Sequence, residues 1–230
     1  MQLLPETGSD RTRIELSFAG EAVVLDASGA LYLPDHRTLI VSDLHLEKGS
    51  YFAARGRPIP RYDTRDTLLR LARAIAFYEP SCLVCLGDSF HDVRADRRME
   101  AGDAAVLNEL MTACGEWIWI TGNHDPQISP ALGGRCALAE RAGTLNLIHR
   151  PEDGVPPLIA GHYHPKCSVR AAGRSLSGPC FLIGGQLLLM PAFGAYAGGL
   201  SVGSEPIAAL FGDEIQQMAM LYRGKIWFLE

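Results

Sequence analysis

The sequence is short of lysine, of net positive charge and of long apolar runs, and each shortage excludes something. Lysine occurs only as Lys48, Lys166 and Lys225, so arginine supplies most of the 21 basic residues, and 26 acidic residues leave a formal net charge of −5. An acidic chain does not hold nucleic acid through bulk charge. Arginine still grips phosphate oxygens as a planar fork, so local phosphate contacts remain open to it. No stretch approaches the roughly 18 consecutive apolar residues of a membrane span. Residues 1–13 lack the apolar segment of a secretory signal, and the expected compartment is cytoplasmic. The six cysteines show no disulfide-framework spacing. Cys82 and Cys85 form a C-x-x-C, but they lie in the apolar run 81–86. A buried strand, with cysteine as a small hydrophobe, explains them better than a redox or zinc pair.

What is present fits an α/β protein. A length of 230 residues with 47% hydrophobic and 20% charged residues suits one domain, 1–230, large enough to bury a core. Short apolar runs end repeatedly in polar clusters. Residues 38–41 lead into Ser42-Asp43-Leu44-His45, 82–86 into Gly87-Asp88, and 117–120 into Thr121-Gly122-Asn123-His124-Asp125. Residues 145–148 lead into His149, and 158–160 into Gly161-His162-Tyr163-His164. Such runs read as buried strands. Residues 64–78 carry Leu68, Leu69, Leu71, Ala72, Ile75 and Ala76 at helical spacing, with Asp63 or Thr64 as cap and Pro80 as stop. Residues 103–114 form a second helix, with Val106, Leu107, Leu110 and Met111 inward. Strand–helix–strand order implies a partly parallel sheet with functional residues at its C-terminal edge. Residues 21–33, 180–190 and 218–229 read as hairpins turning at Ser28-Gly29, Gly184-Gly185 and Arg223-Gly224-Lys225. Their strands form a second sheet, so the expected fold is a four-layer αββα sandwich of two mixed sheets flanked by helices.

The polar clusters suit two metal ions. A two-metal phosphoesterase needs a bridging carboxylate and nitrogen or oxygen donors filling each shell. Asp43-x-His45, Asp88, Asn123-His124, His149 and His162-x-His164 supply them, and five of the seven histidines lie in these clusters. In D-x-H and H-x-H, side chains two apart point the same way on an extended segment. The glycines before Asp88, Asn123 and His162 permit sharp turns and close approach. Mixed carboxylate, imidazole and amide ligation suits manganese first, with iron or zinc as alternatives.

This ordered set, with GD at 87–88, GNHD at 122–125 and GHYH at 161–164, resembles the signature of the calcineurin-like metallophosphoesterase superfamily. SDLHLEKG at 42–49, FAARG at 52–56, YDTRDTL at 62–68, GDSFHD at 87–92 and PAFGAYAGGL at 191–200 are similar to its ligase-associated DNA damage response endonuclease subfamily, PdeM. The resemblance implies that Asp43, His45 and His164 hold one metal, Asn123, His149 and His162 the other, and that Asp88 bridges them. It places His124 at the scissile phosphate as transition-state stabiliser or acid, its ring oriented by Asp125. Two cations would lower the pKa of a shared water, which then attacks phosphorus in line with the leaving group. The implied substrate is a phosphodiester, DNA, and the implied partners are a repair ligase and helicase. His91 stands where many members carry a second Asp, within reach of substrate or of the ligands. Arg150, beside His149, and Arg55 and Arg57, in a loop at 47–65 that could cover the site, are candidate phosphate contacts. A phosphatase or pyrophosphate hydrolase for small nucleotides is the alternative that the same centre would serve. A non-catalytic metal-binding scaffold is disfavoured because no ligand position is missing.

Overall fold

The computed structural model describes residues 11–57, 59–171, 173–212 and 214–229. Along the chain the strands of the first sheet are β1 (Arg13–Phe18), β2 (Glu21–Asp26), β3 (Leu31–Leu33), β4 (Thr38–Val41), β5 (Cys82–Leu86), β6 (Glu116–Ile120) and β7 (Arg135–Ala137). They lie side by side in sequence order, antiparallel from β1 to β4 and parallel from β4 to β7. Helices α1 (Lys48–Ala53) and α2 (Asp63–Tyr78) connect β4 to β5, and α3 (Ala101–Ala113) connects β5 to β6. The second sheet comprises β8 (Ala139–Ala142), β9 (Leu145–Ile148), β10 (Leu158–Ala160), β11 (Lys166–Ala171), β12 (Arg174–Ile183), β13 (Leu187–Leu189), β14 (Gln217–Tyr222) and β15 (Lys225–Leu229), with α4 (Glu205–Phe211) before β14. Its order is β15-β14-β12-β13-β10-β9-β8, with β11 paired to β12, and β9, β10 and β13 are parallel.

The period-two alternation of strands sorts side chains between layers. Ile40, Val84 and Ile118 point into the space between the sheets, where they meet Leu147, Ile159, Phe181 and Ile183 from the second sheet. Their neighbours Leu39, Val41, Leu83, Cys85, Trp117 and Trp119 face outward against Leu68, Leu71 and Ile75 of α2 and Leu107 of α3. On the far side Cys180 and Leu182 pack against Ile207 and Phe211 of α4. The layers therefore run helix, sheet, sheet, helix, as expected for two mixed sheets flanked by helices. Cys82 joins the inter-sheet core and Cys85 the outer face, so the two thiols look to opposite sides of the sheet and share nothing. Burial raises both thiols, Cys82 to about 11.

Several expectations need correction. The segment 47–65 is not all loop, because it contains α1. Leu69 and Ala76 of α2 are exposed, and the buried stripe includes Thr67 and Ala74 instead. Neither Asp63 nor Thr64 caps α2; Tyr62 occupies that position without a side-chain bond. Both polar groups are spent on α1. The Gly49 amide donates to Asp63 Oδ2 at 2.9 Å, the Glu47 amide donates to Thr64 Oγ1 at 2.8 Å, and the Thr64 hydroxyl donates to Glu47 Oε1 at 3.0 Å. A Cβ on Gly49 would lie 2.5 Å from Asp63 Oδ1, so only glycine admits this clasp. The strands β7 and β8 are mostly exposed and offered no apolar run, and the seven-residue α4 is too short to show helical spacing.

Phe181 is fully buried where the two sheets meet. Phe181→Ala should therefore cost about 3–5 kcal/mol of unfolding free energy, read as a lower midpoint in urea titration followed by intrinsic fluorescence.

Candidate metal centre

The parallel register sends β4, β5 and β6 toward one rim, and β9 and β10 of the second sheet end beside them. The chain leaves these strands through left-handed backbone. Asp43, His45, Asp88, His162 and His164 all have positive φ, between 45° and 73°. For residues with a Cβ this conformation is uncommon and strained, and it persists only where the surroundings enforce it. The convergence of Asp43 with His45 thus comes from successive tight turns, not from the extended segment expected for D-x-H. His162 and His164 likewise turn to different groups of donors.

Among the described residues two donor groups contain a carboxylate, and a third, of His45, His91 and His124, contains none. In the first, ligand atoms of Asp43, His45 and His164 all lie within 4.8 Å of one another; in the second, those of Asp88, His149 and His162 do. His45 Nε2 is 3.3 Å from His164 Nε2, and His149 Nε2 is 3.2 Å from both His162 Nδ1 and Asn123 Oδ1 and 3.4 Å from Asp88 Oδ2. Asp43 Oδ1 is buried, makes no hydrogen bond, and stands 3.0 Å from His164 Nε2. Its partner oxygen is satisfied, accepting from the Ser42 hydroxyl at 2.5 Å and the His162 amide at 3.0 Å. A fully buried bare carboxylate oxygen facing imidazole nitrogens is costly unless a cation lies between them. The groups adjoin, with Asp43 Oδ1 3.9 Å from His149 Nδ1.

The electrostatics agree. Burial alone would raise the Asp43 and Asp88 carboxyls, yet His164 beside Asp43 and His149 beside Asp88 hold both below the ordinary range. Burial would depress His149, yet Asp88 and Asp43 lift it to about 9, so this pocket attracts positive charge. Burial outweighs Asp43 at His45 and lowers it to about 3, leaving the neutral imidazole that metal ligation requires. His149 Nδ1–H donates to the Leu86 carbonyl at 3.0 Å, which turns Nε2 toward the donors. Among the described residues, Asp43, His45 and His164 could hold one divalent cation and Asp88, His149, His162 and Asn123 a second.

Glycine is needed here mainly for room. A Cβ on Gly122 would sit 2.1 Å from Asp88 Oδ1, and one on Gly161 would sit 1.9 Å from Ser42 Oγ. The PAFGAYAGGL segment supports the first turn from behind: the amides of Phe193 and Gly194 donate to the carbonyls of Ser42 and Asp43 at 2.7 and 3.1 Å. Ser42 itself was passed over in the sequence, where only its adjacency to Asp43 could have marked it.

The rest of the candidates are placed as follows. His124 is partly exposed beside the donors, its ring centroid 5.0 Å from that of His45. Asp125 does not orient that ring. Its carboxylate accepts the amides of Asp88, Phe90 and Gly122 at 3.1, 3.0 and 2.9 Å, and burial with Asp88 nearby raises it to about 7. The orienting group is the backbone carbonyl of His91, which accepts from His124 Nδ1–H at 3.0 Å. The His91 ring stacks on His124 with centroids 5.1 Å apart and lies 3.4 Å, Nδ1 to Nδ1, from His45. Burial, Lys48 and His124 lower it to about 4. Arg55 lines a cleft with His91 and His124, and exposed Arg150 is near Tyr163 and His162. Arg57 is exposed and lines none of the clefts described for this chain. His36 bonds Glu21 at 3.1 Å, away from the centre.

Residues 36–176 match the calcineurin-like phosphoesterase family, more than half of the chain. The chain belongs to that family. It is accordingly a metal-dependent phosphoesterase. This phosphoesterase is similar in fold to the crystal structure of Pseudomonas putida nuclease MPE, with a TM-score of 0.74 and 28% identity over 94% of this chain and 100% of that one. Likeness to the E. coli phosphoesterase Yfce is weak, with 16% identity, a TM-score of 0.40 and coverage of 81% and 88% of the two chains. A protein of unknown function from Aquifex aeolicus is likewise distant, at 16% identity, TM-score 0.39 and coverage of 55% and 78%. No curated protein matches the chain. Among the described residues no helix is long and apolar enough to cross a membrane.

Gly122→Ala forces a methyl group onto Asp88 and should lower the divalent metal retained per chain after desalting, measured by mass spectrometry of the metal. Unchanged stoichiometry would mean that the Gly122 contact does not shape the donor set.

Proposed function

We propose that the chain is one domain, 1–230, that cleaves phosphodiesters within DNA, acting in the cytoplasm in a repair pathway with a ligase and helicase. The observation that carries this reading is the pair of adjoining donor groups at one rim, with a bare buried Asp43 oxygen between imidazoles. The likeness along almost the whole chain to a protein described as a nuclease supports the phosphodiester over the monoester.

In this reading Asp43, His45 and His164 bind one cation, Asn123, His149 and His162 the other, and Asp88 lies between them. Manganese suits this mixed donor set, as do iron and zinc. When bound, two such ions supply Lewis acidity toward phosphoryl oxygens and make water acidic enough to ionise near neutral pH. The chain's own residues do the remaining work. The His91 carbonyl can only accept, so it fixes the proton of neutral His124 on Nδ1. Nε2 is then the nitrogen available to the substrate; it takes up a proton from solvent before the reaction, and the resulting imidazolium gives that proton to the departing oxygen while Nδ1–H stays on the His91 carbonyl. Asp125 acts one step back, tying the turn of Asp88 to the turn of Gly122 through backbone amides. His91 backs both His45 and His124, and Arg55, Arg57 and Arg150 are the candidate contacts to neighbouring phosphates.

Protein stripped of metal and reloaded with manganese should hydrolyse bis-p-nitrophenyl phosphate faster than the mono ester and should cut labelled DNA. Turnover of monoesters alone would replace the nuclease with a small-nucleotide phosphatase. His124→Ala should lower kcat by about 10²–10⁴ while both ions stay bound; loss of an ion would make His124 a ligand instead. Asn123→Ala should lose both turnover and metal.

A further inference from the structure

The segment 191–200, between β13 and α4, contains no helix or strand, yet it bonds to both turns that carry the first donor group. At one end the Phe193 and Gly194 amides hold the carbonyls of Ser42 and Asp43. At the other, the Leu200 amide donates to the Tyr163 carbonyl at 3.3 Å, inside the turn from His162 to His164, and the Lys166 amide donates back to the Leu200 carbonyl at 2.8 Å. Space is fitted as closely as the bonds. A Cβ on Gly194 would stand 2.3 Å from the Leu44 carbonyl oxygen, and one on Gly199 would stand 2.3 Å from the His164 carbonyl oxygen. The segment is thus a strap that ties Asp43 and His45, carried by the first sheet, to His164, carried by the second.

Apart from Phe193, Tyr196 and Leu200 the strap is glycine, alanine and proline, so it has few side chains with which to fix itself. Its hold comes from α2. Thr67 Oγ1 accepts the Ala195 amide at 3.1 Å, and Arg70, one turn further on, donates from Nη2 to the Phe193 carbonyl at 2.5 Å. The Arg70 guanidinium also lies over the fully buried Phe193 ring, 4.9 Å from its centroid. These two bonds bracket Gly194, the residue whose amide reaches Asp43. Among the described residues no main-chain hydrogen bond runs from the strap to the turns of Asp88, Asn123 or His149.

Arg70 is not placed like an ordinary surface arginine. Burial, only partly offset by Asp66, holds its guanidinium below the ordinary pKa, and its Nε is buried without a hydrogen bond, 3.5 Å from Asp66 Oδ2. With Asp66, His164, Lys166 and Arg223 it lines a cleft of about 430 Å³ beside the first donor group. A positive charge there repels a cation bound to Asp43, His45 and His164. Charge and geometry therefore act in opposite directions at this residue. Removing the charge favours cation binding, whereas releasing the strap disorders the donors that bind the cation.

We propose that Arg70 and Thr67 are positioning residues for the first metal, setting the spacing of Asp43, His45 and His164 through the strap without touching ion or substrate. This rests on the two-ion reading above and adds to it the anchor, on a helix outside the centre, that keeps donors from two sheets in register. Its effect is confined to one ion, because the strap leaves the turns of Asp88, Asn123 and His149 unbonded.

The test compares wild type with Arg70→Met, Arg70→Lys and Thr67→Val, each stripped of metal and titrated with manganese counted per chain by mass spectrometry. Arg70→Met keeps the stem and removes charge and donor; it should weaken one ion at least about ten-fold and leave the other within about two-fold. Thr67→Val changes no charge and should weaken the same ion. Arg70→Lys can still donate to the Phe193 carbonyl and should recover most of the loss. Electron paramagnetic resonance should show the coupled spectrum of a manganese pair giving way to that of an isolated ion. In a His164→Ala background, where the first group is already broken, adding Arg70→Met should leave the remaining ion within about two-fold. Equal weakening of both ions, or tighter binding of either in Arg70→Met, would overturn the proposal. So would a lower thermal midpoint of the metal-free variants with both ions held as in wild type. A wild type that binds a single ion sinks the two-ion reading and the strap assignment with it, whereas two ions held equally well by wild type and Arg70→Met sink the strap assignment alone.

Discussion

Everything at the rim depends on one electrostatic constraint, the burial of Asp43 and Asp88 among imidazoles where water does not reach them freely. A carboxylate oxygen without a hydrogen bond in such a place is held there only by what surrounds it. The backbone shows how that holding is done, because five donor residues sit in left-handed conformations that isolated residues avoid. Ser42, the His162 amide and the 191–200 segment clamp the first turn, and Asp125 clamps the second and third. Rigid positioning of this kind keeps donors aimed at common points before any ion arrives.

The two sheets contribute unequally. β4, β5 and β6 bring Asp43, His45, Asp88 and Asn123 to the rim, while β9 and β10 bring His149, His162 and His164. Neither sheet holds a complete set, so the centre comes into being when the inter-sheet core of Ile40, Val84, Phe181 and Ile159 closes. Metal affinity and the packing of that core are therefore linked quantities.

Much of this was legible in the sequence because strand ends and donors coincide. Apolar runs of three to five residues, each leading into a polar cluster, located β4, β5, β6, β9 and β10 to within a residue, and the order of the motifs named the residues that the structure gathers at the rim. The failures have physical causes. Leu69 and Ala76 fit a helical stripe, but the face of α2 was decided by tertiary contacts to α1, which also drew Asp63 and Thr64 away from capping. Left-handed turns at Asp43 and His45 leave no mark on residue type, so an extended reading of D-x-H looked adequate. The carbonyl of His91 was invisible for a deeper reason: sequence motifs name side chains, and here the orienting group belongs to the main chain. Similarly, Lys166 and Arg223 are separated by 56 residues of sequence and line one cleft only once β11 and β14 flank β12.

That main-chain bond to His124 has a consequence for how this rim can diverge. An acceptor carried by the backbone survives every substitution at its position, so residue 91 can change identity while the proton donor keeps its tautomer and alignment. Position 91 is thus available for tuning, because its side chain touches His45 and its cleft while its carbonyl discharges a separate duty. Related chains could exchange histidine for another group there and acquire new substrate preferences with the acid left in register.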